Sequence, residues 1–214
     1  TTPFSFVASA NCLLFERVRP VFVDIDERTY DVGARAFEDK ILALRRTRRG
    51  KKLKGILPVH VFGRPCDMPG IMAVARRQRL AVIEDACEAV GAEIGVPASG
   101  GRPAAGKKSG TFGDCGVFAF YPNKQMTTGE GGMIVTGSRK LADLCRSMRN
   151  QGREPGGGWL QHVRLGFNYR LSDINCALGL AQLAYHLNGP QSGEDRRLPT
   201  LQGPCSDPCP PPED

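Results

Sequence analysis

Lys124 stands where an amine can do chemistry. It lies in Phe118-Ala-Phe-Tyr-Pro-Asn-Lys-Gln-Met-Thr-Thr-Gly-Glu-Gly-Gly132, between an apolar run and a turn of threonine and glycine. Such a turn lets the backbone bend sharply and approach a ligand closely. A lysine held there can be desolvated and act as a Schiff-base nucleophile. Taken alone, a lysine beside glycines is more often a plain loop residue. A second stretch, Ala81-Val-Ile-Glu-Asp85-Ala-Cys-Glu88-Ala-Val-Gly91, puts an aspartate directly after an apolar strand pattern. An ionised acid at that place can keep a ring nitrogen protonated, which turns the ring into an electron sink. The alternative for Asp85 alone is the cap of the following turn.

These groups need elements to position them. Residues 21–25, 56–61 and 80–83 read as strands, the last running into Glu84-Asp85. Residues 34–44 and 71–78 carry helical patterns between them. Near-continuous apolar strands joined by helices predict an α/β fold with a parallel sheet covered on both faces. Ligand-binding residues of such sheets collect just past the carboxyl ends of strands. That is the expected place of Asp24, His60 and Asp85, although a lone histidine there reads as structural rather than catalytic. A loop rich in Gly, Ala and Lys covers 95–110. Strands at 115–120 and 133–136 flank the turn-rich 121–132, and 140–149 is helical. Ser172 is suited to cap a helix running through Leu183, with Asp173 in its first turn.

Composition bounds the remaining readings. At 214 residues and 41% hydrophobic the chain can bury a sizeable core,. No stretch reaches the roughly 18 to 20 apolar residues of a membrane span. The apolar opening is interrupted by Asn11 and Glu16 and has no basic leader, which speaks against a signal peptide,. Eight cysteines without a Cys-x-x-Cys pair read as reduced thiols of a cytoplasmic protein, with no metal site expected,. The net charge of +7 comes largely from the run 45–54. No aromatic residue interleaves that run, so it reads as a solvated helix end and loop, not a nucleic-acid surface. Residues 101–109 nearly spell a phosphate-binding loop, but Lys108 stands where Ser or Thr is required, and Gly110 and Gly113 break the helix that should follow,. The last thirty residues hold seven of the sixteen prolines and show no period. They read as a disordered tail, dividing the chain into a domain at 1–184 and a tail at 185–214.

Taken together, the motifs resemble the DegT-type nucleotide-sugar aminotransferases, a branch of the fold-type-I pyridoxal-phosphate (PLP) enzymes. The resemblance runs from Thr1 to about Leu183. It rests on Thr-Pro-Phe-Ser-Phe-Val, Val-Phe-Val-Asp-Ile-Asp at 21–26, Pro-Val-His-Val-Phe-Gly at 58–63, the Asp85 and Lys124 segments, and Gly-Phe-Asn-Tyr-Arg-Leu-Ser-Asp at 166–173. It implies PLP as cofactor, Lys124 as the Schiff-base lysine and Asp85 as partner of the pyridine nitrogen. Glu88 matches the position beside the ring hydroxyl, where many relatives have glutamine, and Phe6 the aromatic that stacks on the ring. Asn168 matches the residue that reaches the cofactor phosphate of the neighbouring subunit, which implies a homodimer with shared active sites. Ala119 stands where many relatives have a phosphate-binding serine. The implied reaction moves an amino group from glutamate, or a similar donor, to a keto group of a nucleotide-linked sugar.

The pattern also departs from the family. Its N-terminal phosphate-holding loop and small C-terminal domain have no counterpart in this sequence, and residues 95–110 look like an insertion. The expected architecture is therefore an α/β/α three-layer large domain with a mainly parallel sheet, incomplete at the N-terminus and lacking the small domain. The alternative to an enzyme is a catalytically inactive remnant of the PLP fold or a binding protein.

Overall fold

Adjacent strands carry the acidic pair of the sequence into the middle of a sheet. A computed structural model describes residues 1–95, 106–154, 156–158 and 160–188. In chain order the strands are β1 (Gly55–Ile56), β2 (Ala81–Asp85), β3 (Glu93–Ile94), β4 (Lys107–Lys108), β5 (Cys115–Ala119) and β6 (Gly132–Val135). Four of them form one sheet in the order β1-β2-β5-β6, and β3 and β4 pair separately. β2 lies parallel to both neighbours, with Gly55 opposite Ala81 and Asp85 opposite Val117. β6 returns antiparallel to β5, placing Ala119 opposite Gly132. The sheet is mainly parallel, as the alternation of strand and helix patterns requires.

Among the described residues five α-helices accompany it: α1 (Ala8–Phe15), α2 (Ala34–Arg45), α3 (Met68–Gln78), α4 (Arg139–Arg149) and α5 (Asp173–Asn188). Phe37 and Ile41 lie one turn apart on α2, and Met68, Ile71 and Val74 form a stripe on α3. These five side chains pack with Ile56 and Val82 in the main core. Each such burial contributes about 1.5–3 kcal/mol. Leu57, Val59 and Val61 belong to a second cluster, against which Leu13 of α1 packs. Side chains alternate across an extended chain, so α1 sits on the opposite face from α2 and α3. Local chemistry sets the helix ends. Asp67 caps α3 through the Gly70 N–H at 3.1 Å, and Ser138 caps α4 through the Leu141 N–H at 3.3 Å,.

Several expected elements differ. Residues 21–25 are extended but form no strand: among the described residues their backbone-to-backbone bonds run to the first residue, with Thr1 N donating to Val21 O and Val23 N to Thr1 O. Asp24, expected past a strand end, is accordingly exposed, and its carboxylate accepts the Ile25 N–H. The strand expected at 56–61 stops at Ile56, because Pro58 has no N–H to give a ladder,. Only an isolated bridge, Val59 to Asp85, continues the pairing before the chain turns at Val61–Gly63. Helix α1 was not foreseen. α5 runs on to Asn188, past the expected end at Leu183, since no proline or glycine stands between Leu183 and Gly189. The tail reading therefore fails at 185–188, and residues 189–214 lie outside the described residues. So does most of the 95–110 loop, whose ends β3 and β4 join. The basic run begins where α2 ends: Arg45 donates to Gly50 O and Gln78 O, tying the helix end to the loop before β1.

Candidate active site

Glu84 and Asp85 leave β2 in opposite directions because successive residues of a strand alternate faces. Glu84 points into the interior and is fully buried. Its oxygens accept the N–H groups of Gly110 at 2.9 Å, Phe112 at 2.6 Å and Gly113 at 2.6 Å, and it pairs with His60 Nε2 at 3.1 Å. Burial works to raise its pKa. The hydrogen bonds from His60, Gly113 and Gly110 outweigh burial and hold the carboxyl below the usual range,. His60 Nδ1 accepts the Cys66 N–H at 3.1 Å, which assigns the ring proton to Nε2, facing Glu84,. His60 is thus a core residue that locks its own segment to β2, the structural role expected of it.

Asp85 points the other way, toward α1. Its Oδ2 accepts the Ser9 hydroxyl at 2.6 Å and its Oδ1 accepts the Cys87 N–H at 3.2 Å. Its backbone is anchored to the 58–60 segment, donating to Pro58 O and accepting from His60 N, each at 2.9 Å. Three residues on, Glu88 makes two contacts. One oxygen lies 3.2 Å from Lys124 Nζ, and the other accepts the Phe62 N–H at 2.8 Å. Phe62 adopts left-handed backbone, φ 55°, which is unfavourable for a bulky residue and needs such an anchor,.

Lys124 is carried by the turn between β5 and β6. The turn is held from outside by α5: Gln182 accepts the Thr127 N–H, and Asn175 donates to Thr128 O. Gly131, at φ 154°, takes a side chain only if Thr128 and Leu171 shift, because an added Cβ would meet their side chains below 3 Å,. The Lys124 side chain is only 16% exposed and reaches Glu88 from this rigid support.

Phe6, Asp85, Glu88 and Lys124 line one cavity of about 880 Å³. Four of the five residues expected at a cofactor site therefore come together. Ala119 also lines the cavity and offers no hydroxyl. Asn168, the fifth, does not line it. That residue is exposed and bridges to Asn150. Ser5, Ser9 and Cys87 are cavity residues that sequence reasoning missed. Burial and the adjacent Asp85 carboxylate push the Cys87 thiol up, so it lines the cavity as a neutral group. No local signal marks Ser9, whose partner lies 76 residues away.

Among the described residues no helix is long and apolar enough to cross a membrane. Residues 1–192 match the DegT/DnrJ/EryC1/StrS aminotransferase family. The GDP-perosamine synthase of Caulobacter vibrioides is 44% identical over 179 residues, covering 84% of this chain and 43% of that protein. A DegT DnrJ EryC1 StrS aminotransferase from Brucella abortus superposes with a TM-score of 0.73 at 32% identity, over 86% of this chain and 46% of that one. NtdA from Bacillus subtilis, solved with its bound cofactor PMP, superposes with a TM-score of 0.70 at 29% identity, over 86% of this chain and 38% of that one. The chain thus spans less than half the length of each of these relatives. Its motifs, its mainly parallel sheet and the match over most of its length agree: the chain belongs to the DegT/DnrJ/EryC1/StrS aminotransferase family.

Proposed function

We propose that this chain is the cofactor-holding part of a PLP-dependent aminotransferase that acts on a nucleotide-linked sugar. The observation that carries the reading is the convergence of the Lys124 amine, the Asp85 carboxylate and the Phe6 ring on one cavity. That set fits PLP, which needs an amine for its aldehyde, an acid for its ring nitrogen and a flat apolar wall for its ring. When bound, the cofactor supplies an electron sink for negative charge at the substrate carbon.

The chain's own residues take the remaining roles. Lys124 would hold the cofactor covalently, and its amine, when free, moves a proton at the substrate carbon. Asp85 faces the ring nitrogen, already oriented by Ser9 and the Cys87 N–H. Glu88 stands beside the ring hydroxyl and steadies the Lys124 amine. Phe6, exposed on the cavity wall, stacks on the ring. Asn168, exposed and outside its own chain's cavity, is assigned to the cofactor phosphate of a partner subunit, which makes the working unit a homodimer. The amino donor is glutamate or a similar amino acid, and the acceptor a keto group on the sugar. Residues 1–184 are read as the central part of the large domain.

The test is an absorption spectrum of the purified chain with added PLP, followed by borohydride reduction and peptide mapping. The expected result is a reducible band that disappears in Lys124→Ala, with the reduced adduct on Lys124. Capture on another lysine, or a band indifferent to Lys124→Ala, overturns the reading. Transfer of the nitrogen of labelled glutamate to a keto sugar nucleotide then tests the reaction itself.

A further inference from the structure

We infer that Ser9 is a positioning residue for Asp85, and that Ser5 backs it as the second member of a directed hydroxyl relay. The inference rests on the proposed role of Asp85 as partner of the cofactor's ring nitrogen. Ser9 Oγ lies 2.6 Å from Asp85 Oδ2, and Ser5 Oγ lies 2.7 Å from Ser9 Oγ. An ionised carboxylate only accepts, so the Ser9 proton points to Asp85. A hydroxyl has one proton, so Ser9 must in turn accept from Ser5. The direction of the relay is thereby set: Ser5 donates to Ser9, and Ser9 donates to Asp85. All three residues line the cavity, and Ser9 itself is only 6% exposed.

The relay answers a positional problem. Asp85 has a broad, soft terminal torsion and could present its oxygens at many angles. The Cys87 N–H occupies Oδ1 and the Ser9 hydroxyl occupies Oδ2, so the carboxylate plane is held from both sides. Glu88 and Lys124, the charged groups that share the cavity with Asp85, are paired with each other, and two thiols, Cys12 and Cys87, feel its charge. Burial and the Asp85 carboxylate itself keep both the Cys12 and Cys87 thiols protonated. Hydrogen bonds to a charged acceptor are stronger than neutral ones and so define its orientation more firmly. The first turn of α1 brings Ser9 to Asp85 at the end of β2.

The experiment compares wild type with Ser9→Ala, Ser9→Thr and Ser5→Ala, with two readouts. In the unloaded chain, the carbon-13 resonance of the Asp85 carboxylate should move in Ser9→Ala and return in Ser9→Thr, which keeps a hydroxyl. In the loaded chain, PLP labelled with nitrogen-15 in its ring should be bound about tenfold more weakly by Ser9→Ala. Its ring nitrogen should also lose its proton at a pH about one unit lower. Ser5→Ala should act in the same direction with a smaller effect. If Ser9 serves only the packing of α1, Ser9→Ala lowers the melting temperature but leaves the Asp85 resonance and the nitrogen-15 pH profile in place, and the inference is overturned. If the Asp85 resonance depends on Ser9 while wild type captures no PLP, the positioning stands and the proposed function is what fails.

Discussion

Lys124 Nζ and Glu88 Oε1 lie 3.2 Å apart, so the amine proposed to capture the cofactor is held in an ion pair. An ammonium in such a pair is not a nucleophile and must first lose its proton. The Glu88 side chain is 37% exposed, and partly solvated pairs contribute under about 1 kcal/mol,. Replacing Glu88 with glutamine should therefore quicken PLP capture only about three- to fivefold. Stopped-flow absorbance with Glu88→Gln measures this, and an unchanged or slower rate contradicts it.

Glu84 should matter to stability far more than to chemistry. Its carboxylate satisfies three backbone N–H groups and His60 inside the protein. In Glu84→Gln an amide NH₂ would face those donors, at a loss of about 3 kcal/mol read as a lower denaturation midpoint. The pH dependence follows from the sign of the shift. The folded carboxyl lies below the ordinary value of 4.5, so its contribution is complete above that value and is lost as pH falls through the lowered one,. Melting temperatures should drop below about pH 4.5 in wild type and stay flatter in Glu84→Gln.

Gly131→Ala tests the support of the Lys124 turn. An added Cβ would lie 2.6 Å from Thr128 Oγ1 and 2.8 Å from Leu171 Cδ1, at a backbone angle that disfavours side chains. Destabilisation of about 1–3 kcal/mol is expected, with borohydride-trapped PLP falling several-fold. A variant with wild-type stability and capture would mean that this turn yields freely.

Cys66 should be chemically silent. Burial first, then the nearby Asp31 carboxylate, push its thiol up to about 12. At pH 8 roughly one molecule in ten thousand then carries the thiolate. Iodoacetamide should modify Cys66 only at the rate of unfolding, as read by peptide mass mapping. Rapid labelling in the folded chain would show that the site opens locally.

Much of this protein was legible from neighbouring residues. The apolar run before Asp85 and the glycine-rich turn after Lys124 are local patterns, and they placed β2, β5, β6 and the lysine turn close to where they lie. Helices α2 to α4 followed from helical spacing in the same way. Neither Lys124 nor Asp85 could be told from an ordinary loop residue by its own segment. The family resemblance, resting on several segments in order, made the distinction.

Tertiary structure alone decided the rest. That Ser9 meets Asp85, that Glu84 turns inward to His60 while Asp85 turns outward, and that Asn168 stays clear of its own chain's cavity are matters of packing between distant segments. A period or a cap is written in residues a few positions apart, whereas a side-chain hydrogen bond across 76 residues exists only once α1 has docked on the sheet face. The strand expected at 21–25 failed for the same reason: β propensity makes a chain extended, but only a partner ladder makes it a strand.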